Sequence, residues 1–327
     1  MRQCTETERC SPAVRLKELL EHAVEGSTAD GILLSGGLDT SVLSAIAAKQ
    51  KRKLRAVCIA VSDVASPDES FAKTMAERCG FSLRILRPSL ADLVGIMPTL
   101  MRILGGFDPM ELRNSAVVWL ALRAAKKEGI GAVLTGDAAD ELFAGYSYIV
   151  NMPPEQVRPY LDFLNGMMRF SSQPMGASIG VETHLPYLDA ALREFALTLS
   201  RDDLVTERDG QRFGKKVLRE AFADLLPTEI SWRVKTPIEY GSGSHALQKC
   251  VADSVTDEEF EDARPHIAAE DGVSLRDKEQ FFYYRMYRTV SPPPREQAGG
   301  LKRCAACGGV VERADQKYCR VCGAYPC

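Results

Sequence analysis

The sequence predicts an α/β protein in which a parallel sheet is flanked by helices, followed by a mostly helical second half and a small cysteine-rich C-terminal unit. In the first half, short apolar segments typical of buried strands alternate with longer segments of helical periodicity. After about Tyr148 the strand pattern stops and helix-like segments follow. Five of the ten cysteines lie in the last 24 residues, beyond a stretch rich in proline and glycine.

Each element of the first half has its own signal. Ser11 and Pro12 are a typical N-cap and first helical residue, and leucines at helical spacing follow them. The strand candidates are residues 31–34, 56–61, 83–86 and 132–134. Helices are predicted over residues 41–49, 67–79, 89–104 and 114–128. Gly80 is expected to end the second of these helices.

The second half is predicted to be helical and to pack against the sheet. Its helix-like segments are residues 154–170, 189–199, 214–225 and 275–290. Residues 291–300 have the composition of a linker, with stiff prolines followed by flexible glycines. The predicted organisation is therefore one domain over residues 1–290, a linker over 291–300 and a cysteine-rich unit over 301–327.

The composition excludes several classes of protein. With 327 residues, of which 45% are hydrophobic, the chain can bury a core without disulfides. The net charge of -3 gives no bulk attraction to nucleic acid. The apolar stretch 116–122 is far shorter than the roughly 18 residues of a membrane span, and the N-terminal residues lack the apolar segment of a secretory signal. We therefore expect a cytoplasmic protein without a membrane partner, whose cysteines do not form a disulfide framework.

A glycine-rich loop between the first strand candidate and the next helix is typical of a phosphate site. It reads Ser35-Gly36-Gly37-Leu38-Asp39-Thr40-Ser41. Two glycines allow a sharp turn and a close approach to a ligand, and the hydroxyl groups add donors at a helix N-terminus, where the dipole favours an anion. Asp39 would repel a bare phosphate, so a bridging Mg²⁺ is expected. The alternative is a well-capped strand-to-helix turn.

This loop resembles the pyrophosphate loop of the ATP pyrophosphatase superfamily, and an acidic segment narrows the resemblance. After the fourth strand candidate the chain reads Leu134-Thr135-Gly136-Asp137-Ala138-Ala139-Asp140-Glu141-Leu142-Phe143-Ala144-Gly145-Tyr146. It resembles the Gly-Asp-Gly-Ala-Asp-Glu-Leu-Phe-Gly-Gly-Tyr signature of the synthetase domain of asparagine synthetases. Three carboxylates in five residues repel one another unless a divalent ion or a cationic partner compensates them. On composition alone, a solvated acidic loop is the alternative. Further matching strings extend the resemblance over roughly residues 14–245.

The resemblance implies an adenine nucleotide alpha hydrolase-like fold and a ligase chemistry. In the family, ATP activates a carboxylate as an acyl-adenylate, pyrophosphate leaves, and an amine attacks the acyl carbon to form an amide. Carried onto this sequence, residues 35–41 and Gly136 would bind the nucleotide, and Asp39 and Asp140 would ligate Mg²⁺. Asp137 matches the family's active-site carboxylate, and Lys235 matches the lysine that stabilises the adenylation transition state.

Two features leave the substrates open. His184 stands where the family usually has arginine, near the region expected to shape the acceptor pocket, so the acceptor carboxylate is not identified. Glutamine-dependent members begin with a glutaminase domain whose nucleophile is the cysteine after the initial methionine, whereas here the second residue is Arg2. Cys4 and Cys10 are expected to be ordinary thiols. The expected nitrogen donor is free ammonia, ammonia from a separate glutaminase, or an amine on another substrate.

The C-terminal cysteines form two Cys-x2-Cys pairs separated by eleven residues, namely Cys304, Cys307, Cys319 and Cys322. Four thiolates at this spacing suit a tetrahedral, structural Zn²⁺, so residues 301–327 are predicted to be a zinc ribbon. A redox pair is the weaker interpretation, and Cys327 is not expected to bind the metal. The ribbon could contact a protein or tRNA partner, although a stabilising or docking unit is favoured over nucleic-acid binding.

Two other functions remain open at this stage. One is a tRNA-modifying, thiolating enzyme of the same superfamily, because that branch pairs the same loop with zinc ribbons. Its chemistry usually needs a reactive cysteine pair, whereas Cys58 and Cys79 are isolated. The other is a non-catalytic nucleotide-binding scaffold, which is disfavoured by the joint presence of Asp39, Asp137, Asp140 and Lys235.

Overall fold

The computed structural model describes residues 11–327 and contains a parallel five-stranded sheet, ordered β3-β2-β1-β4-β5. Its strands are β1 (Gly31–Leu33), β2 (Arg55–Ile59), β3 (Ser82–Leu86), β4 (Ala132–Leu134) and β5 (Glu182–His184). Two small antiparallel sheets pair β6 (Thr206–Arg208) with β7 (Gln211–Phe213), and β8 (Lys302–Arg303) with β9 (Val310–Val311). The predicted α/β class with a parallel sheet is confirmed.

Seventeen helices accompany these strands within residues 11–327, together with two 3₁₀ turns at Pro186–Leu188 and Pro294–Glu296. The helices up to β4 are α1 (Pro12–Glu25), α2 (Leu38–Lys49), α3 (Asp68–Cys79), α4 (Leu90–Leu104) and α5 (Pro109–Lys127). Those up to β7 are α6 (Ala139–Leu142), α7 (Ser147–Val150), α8 (Pro154–Asn165), α9 (Ser172–Ile179), α10 (Ala190–Thr198) and α11 (Arg201–Leu204). The last are α12 (Lys216–Ala221), α13 (Thr228–Ser231), α14 (Ile238–Ser242), α15 (Ala246–Asp253), α16 (Asp257–Asp271) and α17 (Lys278–Arg288).

The central strands are apolar because both of their faces are covered. Ile32 of β1 is fully buried and pairs with Ala56 of β2 and Leu134 of β4. The order of the sheet reverses at β1, since β2 lies on one side of it and β4 on the other. In open α/β sheets, ligands bind beyond the carboxyl ends of the strands at such a reversal. The loops after β1 and β4 therefore meet at the position where a site is expected.

The predicted helices of the first half are present, but two of them begin several residues before the predicted position. The helix after the glycine-rich loop begins at Leu38 rather than at residue 41, and α5 begins at Pro109 rather than at residue 114. Gly80 ends α3 in the left-handed conformation, with φ of 66°, as predicted. Ser89 caps α4 in a capping box with Asp92.

The prediction that strands end near Tyr148 is wrong. β5 completes the sheet as an edge strand of three polar residues, so it lacks the apolar pattern of a buried strand. The β6–β7 hairpin is also polar. Its turn is Asp209-Gly210, and both residues have positive φ, of 53° and 75°. An Asp-Gly pair is a strong hairpin signal, so the sequence did contain the information.

The chain forms two compact units. Of the described residues, the first comprises 11–59, Pro67–Leu86 and Ala121–Pro237 and contains the five-stranded sheet. The second comprises Ala60–Ser66, Arg87–Leu120 and Ile238–Cys327. In the second unit Pro293 and Pro294, from the segment with linker composition, are buried. The proposed boundaries at residues 290 and 300 remain a prediction.

No single helix within residues 11–327 is long and apolar enough to cross a membrane. The sharply bent pair Leu90–Leu104 and Pro109–Lys127 reaches that length and composition only when the two helices are taken together. Arg2, Cys4 and Cys10 lie outside the described residues.

Candidate functional site

The glycine-rich loop joins β1 to α2 in a conformation that requires glycine. Gly36 has φ of 69°, and a Cβ there would collide with the backbone of Phe71 and Ala72 on α3. Gly37 is the N-cap of α2. The Ser35 Oγ accepts a hydrogen bond from the Gly37 amide at 3.2 Å. The backbone of the loop therefore packs closely against α3 and leads directly into the first turn of α2. This is the conformation expected of a phosphate loop.

The acidic segment after β4 lies against this loop. A Cβ at Gly136 would be 3.0 Å from Thr40 Cγ2 and 3.1 Å from Asp39 Cβ, so a larger residue there would push the two segments slightly apart. The carboxylate of Asp137 accepts hydrogen bonds from Thr135 Oγ1 at 2.9 Å and from Ser172 Oγ at 2.5 Å. The structure thus places Asp137 beside the loop with its carboxylate oriented by two hydroxyl groups.

Two lysines connect the carboxylates of these segments. The Lys215 Nζ lies 2.5 Å from Asp39 Oδ1 and 2.6 Å from Asp140 Oδ1. The Lys235 Nζ lies 2.5 Å from Asp140 Oδ2. The side chain of Lys215 is 4% exposed and that of Asp140 is 13% exposed, whereas Lys235 is 30% exposed. Asp39, Lys215, Asp140 and Lys235 therefore form a continuous chain of ion pairs, which we call the charge chain.

The charge chain shifts the pKa values of Asp140 and Lys235. Burial alone would raise the pKa of Asp140, but Lys215 and Lys235 outweigh it and hold that pKa well below its usual range. Burial alone would lower the pKa of Lys235, but Asp140 and Asp39 raise it above its usual range. At neutral pH Asp140 is an anion and Lys235 is a cation.

Sequence reasoning missed Lys215. It precedes the Lys216-Val217-Leu218-Arg219 string and has a positive φ of 58°, which is uncommon for lysine. Its place in the charge chain depends on glycines nearby, because a Cβ at Gly145 would collide with the Asp140 carboxylate and with Lys215 Cε. The glycines that precede Tyr146 and Lys215 were the available signal.

Gly145→Ala is expected to destabilise the protein by about 1–3 kcal/mol, because the added methyl group must displace a buried charged pair. Equilibrium unfolding in urea measures the loss. Gly131→Ala is the matched control, since a Cβ at Gly131 would meet nothing within 4 Å, and we expect its stability to stay within about 0.5 kcal/mol of the unsubstituted protein. Equal stability of the two variants would contradict the role assigned to Gly145.

The charge chain fits a divalent cation. The carboxylate oxygens of Asp39 and Asp140 converge on one ammonium group, and carboxylate oxygens are the ligands that Mg²⁺ prefers. An ammonium in this position shows that the surroundings favour a positive charge between the two carboxylates.

A cavity of about 530 Å³ in the first unit borders Lys235. Its wall combines apolar and polar side chains with glycines 145, 210 and 214. The side chains include Val150, Asn151, Glu207, Arg212 and Phe213. The hairpin of β6 and β7 supplies several of them, so the element that the sequence analysis missed also shapes this cavity.

The four predicted zinc ligands come together. The Sγ atoms of Cys304, Cys307, Cys319 and Cys322 lie within 4.8 Å of one another, and all four residues are buried. The Sγ–Sγ distances are 3.8 Å for Cys304–Cys322 and 3.7 Å for Cys307–Cys319. A tetrahedron with Zn–S distances of about 2.3 Å has edges of about 3.8 Å, so the cluster fits zinc.

Among the described residues, neither Cys58, Cys79 nor His184 lies in a catalytic arrangement. Cys58 is buried in β2, and burial raises the pKa of the Cys79 thiol to about 11, which disfavours a reactive thiolate. The His184 Nε2 lies 3.0 Å from Thr28 Oγ1 and 3.3 Å from a carboxylate oxygen of Glu182. The imidazole of His184 is therefore held at the edge strand by polar contacts with Thr28 and Glu182.

The chain matches one family model and several curated proteins. The family model described as asparagine synthase matches residues 15–160 and 150–298. Asparagine synthetase B (glutamine-hydrolyzing) of Escherichia coli (strain K12) is 28% identical over 304 residues, which cover 85% of this chain and 54% of that protein. A probable asparagine synthetase (glutamine-hydrolyzing) of Dictyostelium discoideum is 25% identical over 87% of this chain and 56% of its own length. The chain thus spans about half the length of these curated relatives. A solved structure of NMN synthetase from Francisella tularensis has a TM-score of 0.40 at 16% identity, covering 86% of this chain and 96% of that chain.

Proposed function

Because the chain belongs to the asparagine synthase family, we propose that it is an ATP-dependent carbon–nitrogen ligase that forms AMP and pyrophosphate. It adenylates a carboxylate and transfers the acyl group to ammonia or another amine. The charge chain beside the glycine-rich loop is the observation that supports this proposal most strongly. It places two cations and two carboxylates at the reversal of the sheet order, where a nucleotide is expected to bind.

Each member of the site has a proposed role in this reaction. Residues 35–41 and Gly136 bind the phosphates and the adjoining nucleotide through backbone N–H groups and hydroxyls. Negative charge develops on the α-phosphate and on the leaving pyrophosphate, and a preorganised cation stabilises it without reorganisation. Lys235 is the catalytic cation, since it is protonated and borders a cavity. Asp137 is the active-site carboxylate, and Lys215 supplies a second positive charge.

Asp39 and Asp140 would hold Mg²⁺, which would screen the phosphate charge as a Lewis acid. Lys215 contacts both carboxylates, so its ammonium would have to move away from one or both of them if a metal ion bound there. Its long, flexible side chain allows such a shift. The four cysteines would hold a structural Zn²⁺.

We propose only the chemical class of the two substrates, a carboxylate and an amine. The cavity beside Lys235 has the size and the mixed lining of a small-molecule site. The two relatives carry the words glutamine-hydrolyzing in their names, but this chain spans about half of their length. A nitrogen donor supplied as ammonia, by a separate glutaminase or as an amine substrate remains a prediction. So do a protein or tRNA partner of the ribbon and a cytoplasmic location.

ATP–pyrophosphate exchange tests the proposal directly. We expect Mg²⁺-dependent incorporation of labelled pyrophosphate into ATP when the correct small carboxylate is present, screened over amino acids and other carboxylates. Exchange that required tRNA would instead indicate a thiolating enzyme, which the buried Cys58 and the raised pKa of Cys79 disfavour. Nucleotide binding without exchange on any substrate would indicate a scaffold and would overturn the proposal.

A further inference from the structure

The C-terminal ribbon is attached to its own chain within the second unit. We call residues 319–323, which begin at the third of the four clustered cysteines, the second knuckle. The Val321 carbonyl accepts a hydrogen bond from the Phe107 amide at 2.6 Å. The hydroxyl of Tyr318, the residue before the knuckle, donates to Asp108 Oδ2. Phe107 and Asp108 form the turn between α4 and α5, so this knuckle fixes that turn.

The contact between the knuckle and the turn is close and buried. A Cβ at Gly106 would lie only 2.8 Å from the carbonyl oxygen of Arg320. Asp108 is 3% exposed, and its other carboxylate oxygen accepts the Met110 amide at 3.2 Å. A buried carboxylate needs such donors because an unpaired one is costly to desolvate. The Tyr318 hydroxyl is therefore an integral part of the α4–α5 turn.

The ribbon also holds α17 and the segment before it. The Gln280 Nε2 donates to the Cys322 carbonyl at 2.7 Å, and the Ser274 amide donates to the Ala306 carbonyl at 2.7 Å. Phe107 packs edge-on against Tyr284 of α17, with ring centroids 4.9 Å apart. A backbone carbonyl in each Cys-x2-Cys segment thus accepts a hydrogen bond from a residue outside the ribbon.

Three charged side chains, Arg113, Glu279 and Glu239, connect α17 with α5 and α14. The Arg113 guanidinium of α5 contacts Glu279, the neighbour of Gln280, and it binds Glu239 at 2.7 Å. The three side chains are 9%, 6% and 13% exposed for Arg113, Glu279 and Glu239. Glu239 lies in α14, four residues after Lys235 in the chain. The planar, forked guanidinium of arginine presents separate N–H groups to the two carboxylates.

We propose that the metal-loaded ribbon is an internal clamp. Tyr318 and Gln280 are positioning residues that fix the α4–α5 turn and α17. Through Arg113 they fix Glu239 and with it the C-terminal end of the segment that carries Lys235. This last step rests on the proposed function, whereas the clamp itself does not. The ribbon's main contacts are accordingly intramolecular.

Hydrogen exchange of the full chain tests the clamp without reference to activity. The zinc-loaded protein is compared with protein from which zinc has been withdrawn by a chelator and to which Mg²⁺ has been restored. We expect amides in residues 105–113 and 238–242 to exchange about tenfold faster or more after withdrawal, because the hydrogen bonds that the ribbon makes to Phe107, Asp108 and Gln280 are lost. Unchanged exchange in both segments overturns the clamp. Faster exchange in residues 105–113 alone overturns the relay to Glu239.

Tyr318→Phe removes one hydroxyl and leaves the cysteines intact. With zinc content confirmed by metal analysis, we expect faster exchange at residues 105–113. We also expect kcat for pyrophosphate exchange to fall about two- to thirtyfold while KM for ATP is unchanged. Gln280→Met, which keeps the length of the side chain, is the second variant. Tyr325→Phe is the control, since Tyr325 belongs to the same ribbon and is 71% exposed.

The outcomes separate this inference from the proposed function. If the unsubstituted protein shows no pyrophosphate exchange, the ligase proposal fails while the hydrogen-exchange comparison still decides the clamp. If Tyr318→Phe and Gln280→Met behave like Tyr325→Phe in hydrogen exchange, the clamp is overturned whatever the activity.

Discussion

Lys235→Ala is expected to lower the rate of ATP–pyrophosphate exchange by about 10²–10³-fold, the usual cost of removing one preorganised electrostatic group from a transition state. The side chain is a cation at neutral pH, because Asp140 and Asp39 raise its pKa against the effect of burial. Its ammonium contacts Asp140, the proposed Mg²⁺ ligand, and it borders the cavity proposed for the reacting groups. ATP binding should weaken far less, since the glycine-rich loop remains.

The variant must be shown to fold before its activity is interpreted. Asp140 keeps Lys215 as a partner in Lys235→Ala, so its carboxylate stays paired and we expect cooperative unfolding close to that of the unsubstituted protein. Lys249→Ala is the control, because that lysine is 82% exposed and pairs only locally with Asp253. If Lys235→Ala turned over as fast as Lys249→Ala, Lys235 would not be a catalytic residue.

Much of the site could be predicted because its chemistry is local in sequence. The glycines of the phosphate loop and the acids after β4 lie in short continuous strings, and each string follows a buried apolar strand. The strand order that brings them together follows from parallel pairing of β1 with β4. The cysteine pairs are equally local, and the structure brings their four sulfurs together.

The other features of the site and fold could not be predicted from short sequence motifs, because each depends on residues far apart in the chain. Lys215 is 176 residues from Asp39, and apart from the glycine before it nothing in its own neighbourhood distinguishes it from Lys216. β5 is a polar edge strand, defined by its pairing with β4 rather than by its composition. Similarly, Tyr318 and Asp108 are separated by 210 residues, so the attachment of the ribbon appears only in three dimensions.

Lys215→Met should produce the largest loss of stability, about 3–5 kcal/mol at pH 7.5, because it leaves the buried carboxylates of Asp39 and Asp140 without their shared cation. In the unsubstituted protein the lowered pKa of Asp140 contributes stability that is present above the ordinary carboxyl pKa and is lost as the pH falls below it. In the variant that pKa should rise, so the folded state gains protons as the pH falls toward 4. The difference between the two proteins should therefore be largest at neutral pH and should shrink in acid.

Urea unfolding at pH 7.5 and at pH 4.5, with and without Mg²⁺, measures each part of this expectation. Lys216→Met is the matched control, since the neighbouring ammonium contacts only the exposed backbone carbonyl of Asp202. Mg²⁺ should stabilise Lys215→Met more than the unsubstituted protein, because the freed carboxylates bind the ion in the folded state alone. Equal stability of the two methionine variants at pH 7.5 would show that the carboxylates do not depend on Lys215. A loss unaffected by Mg²⁺ would instead argue that Asp39 and Asp140 do not bind the metal, since a divalent ion between them must compensate the same charge that Lys215 compensates.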